Sequence, residues 1–139
     1  MKQGTDYIGV GVGAFIVNDK GEVLLMKRGP ASKNEAGAWA LPGGASEFNE
    51  TLRDAVIRET REELGIELDV DGQLPAYDHI LPDEGQHWIT SVFTARIANG
   101  TPEIMEPQKC SEIGWFALDA LPSPITRMSQ GAFDTFLNI

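Results

Sequence analysis

A single α/β domain, with short strands arranged around one strong helix, is what the sequence predicts, and three observations carry it. The 139 residues leave room for one domain of ordinary size. Runs rich in Val, Ile, aromatic residues and Gly recur along the chain, each bounded by turn residues. Between them lies the best helical stretch, signalled at both ends. No internal repeat, linker or low-complexity tract divides the chain, so residues 1–139 are expected to form one domain.

Taken in order, Ile8 to Val17 reads as a strand, and the turn Asn18-Asp19-Lys20-Gly21 leads into Val23-Leu24-Leu25-Met26, so the two read as a well-buried hairpin. A loop from Gly29 to Gly37 precedes a short strand, Ala38 to Leu41, stopped by Pro42-Gly43-Gly44. The helix follows. Asn49 is its expected N-cap, Glu50 lies in the first turn where the helix dipole favours an anion, and Gly65 ends it after Leu64. Tyr77 to Leu81, His87 to Ile97 and Ile113 to Leu118 are strand-like; Asp119 to Leu121 makes a short turn, and Ser129 to Leu137 forms a C-terminal helix with Phe133, Phe136 and Leu137 on one side.

Charge narrows the function. Eleven Lys+Arg against 21 Asp+Glu give a net charge of −10, a field that repels phosphate backbones and argues against long nucleic acids or an anionic membrane as the partner. A phosphate ligand then needs a cation as intermediary. Cys110 is the only cysteine; it can form neither an internal disulfide nor a thiolate zinc site, so a reducing, cytoplasmic compartment is expected. The N-terminal stretch reads as a strand rather than a signal peptide, and no segment approaches the roughly 20 apolar residues that span a bilayer.

The helix carries the chemical signal. At about 100° per residue, Leu52, Ala55 and Val56 mark the side that faces the core. Continued toward the C-terminus, the same arc turns acidic: Glu59 and Glu63 fall between the directions of Ala55 and Val56, with Glu62 just outside. Like charges at i,i+4 repel, and burial worsens the repulsion unless a cation or a raised pKa relieves it. Oxygen ligands without clustered His or Cys point to Mg²⁺, with Mn²⁺ as substitute. The plainer reading is a solvated acidic face paired with Arg58 and Arg61. Arg58 can also orient Glu62 at i,i+4 while reaching Glu50 or a backbone carbonyl. Gly43-Gly44 would let the backbone approach a metal or phosphate, or would serve only as a turn.

Gly44, Glu50 and the run Arg58-Glu59-Thr60-Arg61-Glu62-Glu63-Leu64-Gly65-Ile66 reproduce the spacing G-x5-E-x7-R-E-U-x-E-E-x-G-U, U being aliphatic, and so resemble the signature of the Nudix hydrolase family. Eight of its nine specified positions match across residues 44–66. Thr60 stands where an aliphatic residue is usual, at a position that packs rather than reacts. The wider resemblance runs from about Ile8 to Leu121. It implies an α/β/α sandwich with a central mixed sheet and hydrolysis of a nucleoside diphosphate linked to another group.

By position, the resemblance makes Glu59, Glu62 and Glu63 metal ligands, completed by the Gly43 carbonyl, with Glu50 and Arg58 as supports. Glu106 is the candidate further acid from a later loop and Glu112 the reserve; either Glu59 or the later-loop acid would take the proton. Arg28 resembles the family's phosphate-contacting arginine, its alternative being a solvated strand-end residue.

The segments GAWALPGG, EGQHWITSVFTA and EPQKCSEIGWFALDALP resemble the branch that converts (deoxy)nucleoside triphosphates to monophosphates and pyrophosphate. Trp39, Trp88 and Phe133 are candidates to stack on the base, against the alternative that they pack in the core; His79 and His87 are expected to be structural or at the rim. Members of the family that use ADP-ribose or a nucleotide sugar often carry a proline about 15 residues past the signature; Pro82, 16 past Ile66, resembles it and keeps those substrates as rivals, although its context suits a turn before a strand. A catalytically silent nucleotide-binding module is the alternative of another class. The resemblance leaves a homodimer open.

Overall fold

The structure is a computed structural model that describes residues 1–137. Its strands are β1 (Gly9–Ile16), β2 (Val23–Arg28), β3 (Trp39–Ala40), β4 (Gly43–Ala45), β5 (Glu67–Gln73), β6 (Tyr77–Leu81), β7 (Gln86–Asn99) and β8 (Cys110–Phe116). Two helices, α1 (Leu52–Leu64) and α2 (Arg127–Leu137), complete it. The long β7 organises a mixed sheet. It runs parallel to β1 from Gly9↔Trp88 to Ile16↔Ala95, and on its other side it pairs antiparallel with β6 near its start and β5 near its end. β4 closes the far edge against β1, and β3, β2 and β8 form a second, antiparallel sheet.

Alternation along the strands divides the core between the two helices. Val12, Ala14 and Ile16 of β1 and Leu24 of β2 meet Ala55, Val56 and Leu64 of α1. Phe15, Val23, Leu25 and Trp39 meet Phe133 of α2. Successive strand residues point to opposite faces, so the sheets are covered on both sides, as the α/β/α expectation required.

Four local readings change. Residues 18–21 do turn the chain, with a Val17↔Val23 bridge, but β1 and β2 then part into different sheets. Each has both edges taken, β1 by β4 and β7, β2 by β3 and β8. Asn49 is not the N-cap: it adopts φ 67, and the helix starts at Leu52 under Thr51, whose hydroxyl accepts from the Asp54 N–H at 3.0 Å. Glu50 therefore precedes the helix and is free to serve Arg58. The Gly43-Gly44 turn is also strand β4, and β5 was not anticipated, its sequence offering only Leu68 and Val70 as buried alternating residues.

Candidate active site

Arg58 is the hub of the acidic end. Its Nε and Nη2 grip the two Glu50 oxygens at 2.6 and 3.0 Å, and Nη2 also donates to the Ala45 carbonyl at 3.1 Å. From the same guanidinium, Nη1 reaches Glu59 at 3.1 Å and Glu62 at 3.2 Å. One side chain thus ties the loop after β4 to the last two turns of α1. The bidentate Glu50 pair holds the Glu50 carboxyl below its ordinary range and raises Arg58 further, as expected of a fork-to-fork ion pair.

Beyond this hub the carboxylates crowd. Glu63 is half-buried and accepts from the Gly43 N–H at 3.0 Å. Burial first, then the charge of Glu59, push its carboxyl up to about 8, against the pull of that N–H. Burial likewise raises Glu59, opposed by Arg58. A Cβ on Gly44 would stand 2.5 Å from the Glu59 carboxyl carbon, and one on Gly43 2.1 Å from the Val12 carbonyl oxygen. Only glycines permit this approach of β4 to β1 and α1. Glu62 is 54% exposed. Among the described residues no three His, Cys, Asp or Glu side chains are already gathered into a metal-holding cluster. Thr60 is fully buried and its hydroxyl donates to the Val56 carbonyl at 2.9 Å, so it packs within the helix.

A cleft of about 510 Å³ leads away from Glu63 on the α2 side. Glu106 lines it, held 3.3 Å from Lys109, and Lys27 and Arg28 line it too. Glu112, the reserve acid, is exposed and lies outside. The distal wall is one face of the β6–β7 pair: Tyr77 beside Thr90, His79 beside Trp88, Leu81 beside Gln86. Gly11 and Gly13 of β1 extend that face toward Gly43.

Two predicted base-stacking residues are corrected. Phe133 is 0% exposed and Trp39 7% exposed, the latter packed edge-on against Phe116, and neither lines the cleft. Both rings fill the core under α2, where an apolar aromatic gains most from burial. Trp88 does line the cleft, its indole covered by Gly4 and Gly9. His79 is at the wall and His87 points to Asp78 at 3.0 Å, outside the cleft. Pro82 opens a 3-10 turn before β7, as its context suggested. Sequence reasoning missed Asn34, Tyr77 and Met128; the alternation Tyr77, His79, Leu81 against Gln86, Trp88, Thr90 was the available signal.

A family model described as the NUDIX domain matches residues 8–137. The chain is 30% identical over 114 residues to the mouse (Mus musculus) protein described as 8-oxo-dGDP phosphatase NUDT18, covering 81% of this chain and 33% of that one. It is 47% identical over 57 residues to the CTP pyrophosphohydrolase of Escherichia coli K12, covering 41% of this chain and 42% of that one. The chain therefore spans about a third of the mouse protein's length, and the bacterial match is confined to under half of each sequence. Among solved structures, a MutT NUDIX hydrolase from Burkholderia pseudomallei superposes with a TM-score of 0.87 at 42% identity, covering 94% of this chain and 99% of that one.

Proposed function

The chain belongs to the Nudix family, and on that premise we propose that its 139 residues act as one hydrolase domain cleaving a (deoxy)nucleoside triphosphate to the monophosphate and pyrophosphate. The observation that carries this reading is one cleft that runs from Glu63 and Glu106 to an aromatic wall at Trp88. A substrate with an anionic and a planar end fits such a passage.

The donor set fits a hard divalent cation, Mg²⁺ or Mn²⁺. It is all oxygen, and the raised Glu63 and Glu59 carboxyls are groups whose ionisation a cation would relieve. Glu59, Glu62, Glu63 and the Gly43 carbonyl would hold it, with Glu106 from the β7–β8 connection. When bound, such an ion offsets phosphate charge and renders water more acidic. The chain does the rest. Arg58 and Glu50 fix α1 against the loop, Arg28 contacts phosphate oxygens from the end of β2, and the bare backbone at Gly44 lets them come close. Either Glu59 or Glu106 would accept the proton of the attacking water. Trp88 offers a ring to the base.

The lone Cys110 is buried, consistent with a reducing cytoplasmic setting, and no helix among the described residues is long and apolar enough to cross a membrane. Nucleotide-pool sanitation or housekeeping is the corresponding role.

A Mg²⁺-replete turnover panel of common and oxidised (d)NTPs, ADP-ribose, a nucleotide sugar and a dinucleoside polyphosphate tests the proposal, with products separated by ion exchange. Monophosphate plus pyrophosphate is expected. AMP plus ribose phosphate would replace the triphosphate with ADP-ribose as substrate. Nucleotide binding without turnover would mark a silent binding module.

A further inference from the structure

Arg28 is the last residue of β2, and the ladder to β8 shifts register between Lys27 and Arg28. Such an irregularity re-aims the side chain that follows it. Two of the five guanidinium N–H donors are then taken by one residue: Nε donates to the Asn34 carbonyl at 3.0 Å and Nη2 to Asn34 Oδ1 at 2.9 Å. Both acceptors are uncharged. Among the described residues Arg28 enters no ion pair, so its charge is aimed without being neutralised, and three N–H donors remain for the cleft it lines.

Asn34 is itself held from behind. Its Nδ2 donates to Glu84 Oε1 at 2.9 Å. The other Glu84 oxygen meets Arg127, which also bonds Asp83 at 3.2 Å and whose backbone N–H donates to Glu35 at 3.0 Å. Three segments distant in sequence, the loop after β2, the turn before β7 and the start of α2, therefore converge on one amide. The amide can face only one way, since reversal would set its NH₂ against the Arg28 guanidinium and its oxygen against a carboxylate. An aspartate at this position would accept from Arg28 equally well, but it would cancel the arginine's charge and repel Glu84. The donor-plus-acceptor character of asparagine is what this junction requires.

Resting on the reading of Arg28 as a phosphate contact, we propose that Asn34 is a positioning residue that acts through Arg28, with Glu84 and Arg127 fixing the amide that does so. Asn34 holds the guanidinium fork toward the substrate's phosphates and leaves its positive charge uncompensated until they arrive. A loop tie with no part in binding would show the same hydrogen bonds but would not couple energetically to Arg28.

A double-mutant cycle of Arg28→Ala and Asn34→Ala separates the two. The readout is calorimetric affinity for inorganic pyrophosphate in excess Mg²⁺, with turnover of the nucleotide panel and the thermal midpoint of each protein alongside. The proposal expects Asn34→Ala to weaken pyrophosphate binding about tenfold, the scale of a lost hydrogen bond to a charged group, and less than about twofold when Arg28 is already Ala. Asn34→Asp is expected to lose at least as much as Asn34→Ala. Additive losses, wild-type affinity in Asn34→Asp, no effect of Arg28→Ala, or a wild-type protein with no affinity for the probe would each overturn it. Failure of the functional reading looks different: no nucleotide is turned over while the Arg28–Asn34 coupling in pyrophosphate affinity persists.

Discussion

The two ends of the cleft are built on opposite plans. Around α1, chemistry resides in charged side chains, and each is tied: Glu50, Glu59 and Glu62 to Arg58, Glu63 to the Gly43 N–H. At the distal end the wall is a β-face of Tyr77, His79, Trp88 and Thr90, and toward β4 its floor is bare backbone at Gly11 and Gly13. The first end is specified by what is present, the second largely by what has been left out. Substitutions at the two ends should accordingly fail in different ways.

Glu63→Gln should give the largest effect. It keeps an acceptor for the Gly43 N–H and removes the charge that a cation needs, so kcat/KM in Mg²⁺ is expected to fall about 10³-fold, the several kcal/mol that metal chemistry supplies. Circular dichroism and thermal melting should show an intact fold. Near-wild-type turnover at saturating Mg²⁺ would remove Glu63 from the machinery and break the contrast between the two ends.

That contrast also explains what was legible in the sequence. Acids on an otherwise apolar helical arc conflict with ordinary amphipathic design, and a fixed spacing from Gly44 to Ile66 made the conflict specific. The tie from Arg58 to Glu50 and a backbone carbonyl followed from the same reading. Trp39 and Phe133 were open to both a core and a ligand role because an aromatic residue looks the same in sequence whichever it serves; the packing of α2 onto β2 and β3 decides it. The split of β1 and β2 between sheets was invisible, since a local turn signal says nothing of which strands later occupy each edge. Asn34 escaped for a related reason: Glu84, which fixes its amide, lies 50 residues away, and no local pattern encodes that contact.

Gly11→Ala sharpens the comparison from the distal side with a smaller effect. Gly9 is required by packing, since a Cβ there would come within 2.5 Å of the Trp88 ring. At Gly11 and Gly13 the nearest atoms would be 3.6 and 3.5 Å from a Cβ, ordinary contact, and neither has a positive φ. Glycine inside a strand costs about 0.5–1 kcal/mol relative to alanine, so the fold gains nothing from it here. The added methyl would instead occupy the cleft. The thermal midpoint of Gly11→Ala is expected to hold or rise while KM for the nucleotide climbs about tenfold, the usual scale for one extra methyl in a pocket. A lowered midpoint with unchanged KM would show that the bare floor serves the fold after all.

The smallest expected effect is a pH dependence belonging to the acidic end alone. Burial, then the charge of Glu59, push the Glu63 carboxyl up to about 8, while in the unfolded chain it returns to its ordinary 4.5. Between those values the folded state holds a proton that the unfolded state has released, so stability falls as pH rises toward 8. His79 opposes this at lower pH: burial depresses its pKa below 6.5, and its neutral form favours the fold as pH rises to about that value. Glu50 and Glu67, held below 4.5 by Arg58 and Arg61, lose their contribution only in more acidic solution. The window from about pH 6.5 to 8 therefore isolates the Glu63 side of the site. In EDTA the thermal midpoint should drop by a few degrees across it, and Glu63→Gln should flatten that slope. Excess Mg²⁺ should raise the midpoint most at pH 8, where the ionised carboxylates it would bind are most abundant. A flat wild-type profile in EDTA would mean that the carboxylates are relieved within the protein, and the electrostatic case for a cation at this end would fall with it.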